Sequence, residues 1–147
     1  MAGIERSARV VWKGGLARGS GTVSAGSGAV DELAVTWASR TERPDGRTSP
    51  EELLAQAHAA CYAMAFANTL EEAGNPPERL DVDAVVSAEL GDEGLRVTAS
   101  VLDVAARIPG MDAAELERLA QEAEGSCPVS NALRGNLDIR VQATLET

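Results

Sequence analysis

Soft nucleophiles are scarce in this chain of 147 residues, which carries two cysteines, Cys61 and Cys127, and one histidine, His58. A thiol reacts as its thiolate, so the question is what could ionise each one. Cys61 sits among alanines in LLAQAHAACYAMAFANTL, where desolvation holds a thiol pKa up. It lies about three turns into that segment, too far for the dipole of a helix start to help. A cation must then come from elsewhere in the chain. The nearest in sequence are Arg40, Arg43 and Arg47 in the stretch SRTERPDGRT, and Arg18 in an earlier turn. Cys127 stands immediately before Pro128 at what reads as a helix start, where unpaired backbone N–H groups favour a thiolate. Several readings stay open on these residues alone. The pair serves as attacking and resolving thiols, or as a structural pair, or as unrelated thiols, or Cys61 is simply a small buried hydrophobe. His58 precedes Cys61 by three positions and shares its helical face. It is either a base beside a nucleophile or a core histidine bonded to neighbouring backbone. Zinc would need further ligands, and with no CxxC or HxxxH spacing no metal is expected.

The element that must position Cys61 runs from Ser49 to Gly74. Ser49 can cap it, Pro50 suits the first helical position, and Glu52 completes a capping box. Gly74 permits a left-handed end, and Pro76-Pro77 cannot continue the helix. No Asp, Glu, Lys or Arg occurs between Leu53 and Leu70. A helix without a polar stripe is buried on most sides. At about 1.5 Å per residue it is a rod of roughly 37 Å, longer than one small domain needs. A second subunit is therefore expected to cover part of it. Met64, Ala57, Phe66 and Leu54 flank Cys61 and are expected to line an apolar pocket.

Around that helix the sequence places strands at Ala8–Lys13, Gly19–Ser24 and Glu32–Trp37, then a polar loop from Ser39 to Thr48. Leu80, Val82, Ala84, Val86, Ala88 and Leu90 alternate on one face of a fourth strand, and Gly91–Gly94 turns into a fifth from Leu95 to Val101. Asp112 and Glu115 open an amphipathic helix from Ala113 to Ala123 that Gly125 ends. A short helix follows through Leu133, and a period-two strand closes the chain from Leu137 to Leu145. The fold class is α+β: about six strands in a mostly antiparallel sheet wrapped on one long buried helix. The chain reads as one domain over 1–147, and strand order does not follow from the pattern.

A net charge of −10 repels phosphate backbones and anionic lipid, which argues against nucleic acid and membrane surfaces as partners. MAGIERSARVVWK has no apolar run of signal-peptide length, so a cytoplasmic protein is expected. Two cysteines 66 positions apart in a reducing compartment are not expected to form a permanent bridge.

The strings RTSPEELLAQAHAACYAMAF around Cys61 and GSCPVSNAL around Cys127 resemble the OsmC branch of the OsmC/Ohr family of thiol-dependent peroxidases. RGSGTVS at Arg18–Ser24 and IPGMDAAEL at Ile108–Leu116 are similar to that branch too. The resemblance covers essentially the whole chain. It implies an intertwined homodimer with central long helices, no metal and no organic cofactor, and reduction of organic hydroperoxides in preference to hydrogen peroxide. It further implies that Cys61 is the peroxidatic thiol and Cys127 the resolving one. Glu51 would hold an arginine toward the thiolate. That arginine is Arg40 by the OsmC pattern, with Arg18 in reserve by the Ohr pattern. An external dithiol would reset the pair, lipoylated proteins being what the Ohr branch implies. Two other readings remain: a redox-sensing or ligand-binding protein of the same fold with poor turnover, and a hydrolase pairing Cys61 with His58.

Overall fold

The computed structural model describes residues 3–146. Its elements run β1 (Ala8–Lys13), β2 (Ser20–Ala25), β3 (Leu33–Val35), α1 (Trp37–Thr41), α2 (Pro50–Glu72), β4 (Arg79–Gly91), β5 (Gly94–Arg107), α3 (Ala113–Ser126), α4 (Pro128–Leu133) and β6 (Asp138–Leu145). The chain divides into two compact units, Met1–Leu53 and Leu54–Thr147. Each has its own three-stranded sheet, β1-β2-β3 in the first and β4-β5-β6 in the second.

In the first unit β1, β2 and β3 form an antiparallel meander with Val10 opposite Val23 and Thr22 opposite Ala34. Trp12 lies across Gly21, where a Cβ would come within 2.7 Å of the indole, so only glycine fits. The third strand is shorter than its apolar run suggests and the expected loop begins as a helix. Thr36 and Ser39 form a reciprocal capping box that turns the chain into α1 directly after Val35. Capping two backbone donors outweighs one more strand pair. The remainder is the expected turn: Asp45 and Gly46 both have positive φ, and the Arg47 N–H donates to the Pro44 carbonyl at 2.9 Å. Ser39 Oγ then donates to the Thr48 carbonyl at 2.8 Å, and the Thr48 N–H to the Ala34 carbonyl at 2.8 Å.

Both ends of α2 obey local rules, with one change. Ser49 Oγ accepts from the Glu52 N–H at 3.1 Å, but the Glu52 carboxylate accepts from the Thr48 hydroxyl at 2.9 Å, so the expected box is only half made. At the far end Gly74 has φ +85°, and the Asn75 and Gly74 N–H groups donate to the Leu70 and Glu71 carbonyls. Those two bonds are the Schellman pattern.

In the second unit β4 and β5 form a long antiparallel hairpin, and β6 pairs with β5 in parallel. A parallel neighbour needs a long crossover, and α3 with α4 supplies it. The hairpin slips register between Ser87 and Ala88. Beyond that bulge the alternation no longer faces the core, and Ala88 and Leu90 are exposed where the pattern expected them inside. β5 runs past Val101 to Arg107, and its inward face of Ser100, Leu102, Val104 and Ala106 is fully buried. Against it pack Tyr62, Phe66 and Leu70 of α2 and Leu116, Leu119, Ala120 and Ala123 of α3. The α3 residues recur at three- and four-residue spacing, a single apolar stripe. α3 continues through Gly125 to Ser126 rather than ending there, because the stop is the extended Cys127 before Pro128.

Candidate active site

Cys127 is the next position of the α3 stripe and is completely buried. It is the junction residue, ending α3 and starting α4. Cys61, on α2, is half-buried and packs on the same core. The Cys127 side chain and the Val129 backbone N–H are both near enough to the Cys61 thiol to shift its ionisation. Both thiols are free. Burial pushes the Cys61 thiol up from its ordinary value, the Val129 N–H opposes this, and the adjoining Cys127 sulfur adds to the rise. Among the described residues of the second unit, the Val129 N–H favours the thiolate, and burial outweighs it.

Arg40 and Glu51 meet in an ion pair. Arg40 sits in the last turn of α1 and Glu51 in the first turn of α2. The Ser39 and Thr48 bonds described above fix those two turns together. Arg40 Nε donates to both Glu51 carboxylate oxygens at 3.0 and 3.2 Å, and Nη2 donates at 3.0 Å. This forked pairing fixes the plane of the guanidinium. Nη1 has no hydrogen bond among the described residues. The Trp37 ring lies 5.9 Å from Arg40 Cζ. Arg18 is exposed in the turn between β1 and β2, with no ion pair among the described residues. The structure thus assembles Cys61 with Cys127 in one unit and Arg40 with Glu51 in the other.

Arg40 also borders an apolar groove of about 470 Å³ in the first unit, lined chiefly by Val10, Trp12, Val23, Trp37 and Leu53. The apolar lining expected from Met64, Ala57, Phe66 and Leu54 is not found there. Phe66 is wholly in the core beside Tyr62, and Met64 is 69% exposed. The two tryptophans were the overlooked signal, since each ends or follows a strand of the small sheet.

His58 is fully buried, but its partners are side chains rather than backbone. Nδ1 lies 2.6 Å from Ser100 Oγ and Nε2 lies 2.7 Å from Ser130 Oγ. With both ring nitrogens committed, the imidazole is not placed as a base for Cys61, which removes the hydrolase arrangement. Burial lowers its pKa, partly offset by the Glu124 carboxylate. Ser100 and Ser130 were missed in the sequence. Ser100 carried a usable signal, a hydroxyl on the otherwise apolar inward face of β5.

Comparison with known proteins agrees with this architecture. The family model described as OsmC-like protein matches residues 43–142. Peroxiredoxin OsmC of Escherichia coli (strain K12) is 37% identical over 139 residues, spanning 95% of this chain and 96% of the relative. Organic hydroperoxide resistance protein OhrA of Bacillus subtilis (strain 168) is 31% identical over 119 residues, spanning 76% and 77%. The crystal structure of an organic hydroperoxide resistance protein OsmC from Legionella pneumophila superposes with a TM-score of 0.73 at 27% identity, covering 98% of this chain and 99% of that one. With a family model covering more than half its length and a relative aligned almost end to end, the chain belongs to the OsmC-like protein family.

Proposed function

We propose that this chain is a cysteine-based peroxidase that reduces organic hydroperoxides to alcohols, acting as one functional domain in a cytoplasmic homodimer. The observation that carries the reading is that Cys61 packs on the buried core that contains Cys127, 66 positions away in sequence, near enough for that side chain to shift its ionisation. Cys61 attacks one peroxide oxygen, the O–O bond breaks, and an alcohol leaves. Cys127 then displaces hydroxide from the Cys61 sulfenic acid, forming the disulfide and water. An external dithiol, such as a lipoylated protein, returns both sulfurs to thiols and is itself oxidised. The raised Cys61 pKa must be brought down for this, and Arg40 held by Glu51 is the group assigned to it. Its unused Nη1 suits a thiolate or a peroxide oxygen. The apolar groove bordered by Arg40 fits an alkyl or aryl group, which favours organic peroxides over hydrogen peroxide.

Exposed apolar residues support the homodimer: Met64 on α2 is 69% exposed, and every residue of β1 is exposed. The test is consumption of cumene hydroperoxide and of hydrogen peroxide, with dithiothreitol or dihydrolipoamide as reductant. Sustained turnover with a faster second-order rate for cumene hydroperoxide is expected. A single oxidation without turnover would instead favour a redox-sensing or ligand-binding protein.

A further inference from the structure

Among the described residues, His58 centres a buried polar cluster that the proposed chemistry does not use. It joins three elements: its own helix α2, Ser100 of β5 and Ser130 of α4, all three residues fully buried. Its place in sequence gives the cluster a direction. His58 lies three positions before Cys61 on α2, and Ser130 lies three positions after Cys127 on α4. Three residues are close to one helical turn. The Cys61–Cys127 pair and the His58–Ser130 bond therefore lie about one turn apart, both along α2 and along the segment from Cys127 into α4. Among the described residues, that bond is the one hydrogen bond between two side chains joining α2 to α4. On its other side α4 is tied back to α3, where Arg134 Nη1 lies 2.8 Å from Glu124 Oε1 and Nη2 donates to the Glu124 carbonyl.

We propose that His58 is a positioning residue for disulfide formation: through Ser130 it holds the first turn of α4 against α2, keeping Cys127 within reach of oxidised Cys61. This rests on the peroxidase reading. A disulfide tolerates only a narrow range of Cα separations and sulfur torsions, so a small drift of α4 slows bond formation. The sulfenic acid on Cys61 has two fates. Cys127 closes the S–S bond and water leaves, a unimolecular step. Alternatively a second hydroperoxide transfers another oxygen to Cys61, giving sulfinic acid and a second alcohol, at a rate proportional to its concentration. The ratio of the two products reports how well Cys127 is held.

The two serines separate this role from general support of the core. Ser130→Ala and Ser100→Ala each remove one hydrogen bond from the same buried ring, but only Ser130 lies on the Cys127 helix. Substitutions of His58 divide the same way. His58→Asn keeps a polar atom near the Nδ1 position, facing Ser100, and His58→Gln keeps one near the Nε2 position, facing Ser130. Reduced full-length protein is treated with rising cumene hydroperoxide, and Cys61 is read by mass spectrometry as disulfide or sulfinic acid. Thermal melting of each variant accompanies the assay. The peroxide concentration giving equal amounts of the two products should fall about 10-fold in Ser130→Ala and His58→Asn, as expected for a displaced reacting group. Ser100→Ala and His58→Gln should stay near the wild type. If Ser130→Ala matches a normally cycling wild type, or if Ser100→Ala shifts equally, the role of His58 is overturned. A wild type that forms no disulfide overturns the peroxidase reading itself.

Discussion

The two sheets of this protein are both three-stranded, yet they differ in cover. On β5 the inward face from Ser100 to Ala106 is fully buried beneath α2 and α3. On β1 no residue is buried, and Val10 is 58% and Trp12 39% exposed. The cause is what each unit has to spend on its sheet. The second unit owns the amphipathic α3 and most of α2, whereas the first has only the five-residue α1 and the opening of α2. A segment of that size cannot bury both faces of a sheet. A covered sheet supplies stability, and an uncovered one supplies surface for ligand or subunit. The candidate chemistry divides in the same way, thiols on the covered side and the guanidinium with its groove on the other.

The most severe test of that division is Cys61→Ser, which should abolish peroxidase activity because a serine hydroxyl forms no sulfenic acid. Cys127→Ser should differ, consuming about one equivalent of peroxide per subunit before stalling, then gaining about 32 Da as sulfinic acid. Peroxide turnover by Cys61→Ser, or failure of Cys127→Ser to stall at one equivalent without added thiol, would break the two-thiol cycle.

On the uncovered side, Arg40→Met should slow peroxide attack about 100-fold or more, the scale of losing one preorganised charged donor. The sign with pH follows from the thiolate being the nucleophile. Without the cation the Cys61 pKa rises, so the rate should climb only at higher pH than in the wild type. If Arg40→Met is neutral and Arg18→Met abolishes the rate, the cation is Arg18.

Stability should separate the units as well. Phe66→Ala in the covered core should cost about 3–5 kcal/mol by denaturant unfolding, as a large cavity does. Val11→Asp, on the β1 face away from the groove, should leave the subunit fold intact and weaken the dimer, by about 100-fold if the charge is buried unpaired. Light scattering of the wild type at micromolar concentration should give a dimer; a folded monomer would remove the expected cover.

The smallest effect concerns His58. Its folded pKa lies below the ordinary 6.5, so the unfolded chain takes up the proton first as pH falls. Stability is therefore whole above 6.5 and declines below it, by at most about 1.4 kcal/mol per pH unit for one proton. His58→Gln should lower the plateau and remove this slope in chemical denaturation between about pH 5.5 and 7.

Much of this molecule was legible because it is governed by near neighbours. Ser49 and Gly74 set the ends of α2 through bonds within a few residues, and the alternation of β4 and β5 marked a hairpin closed by Gly91–Gly94. Cys61 and Cys127 announced themselves by residue type, Arg40 and Glu51 by a resemblance. Elsewhere a local signal was present but a competing one prevailed: Thr36 and Ser39 turned a strand into α1, and the slip at Ser87 exposed Leu90. Tertiary structure alone decided the parallel seat of β6, the two-sheet division, the packing of Cys61 on the core that holds Cys127, and the serine partners of His58. Each of these joins residues tens of positions apart. Periodicity and capping act over a turn or a strand pair, whereas such pairings depend on how filled cores bring whole elements together.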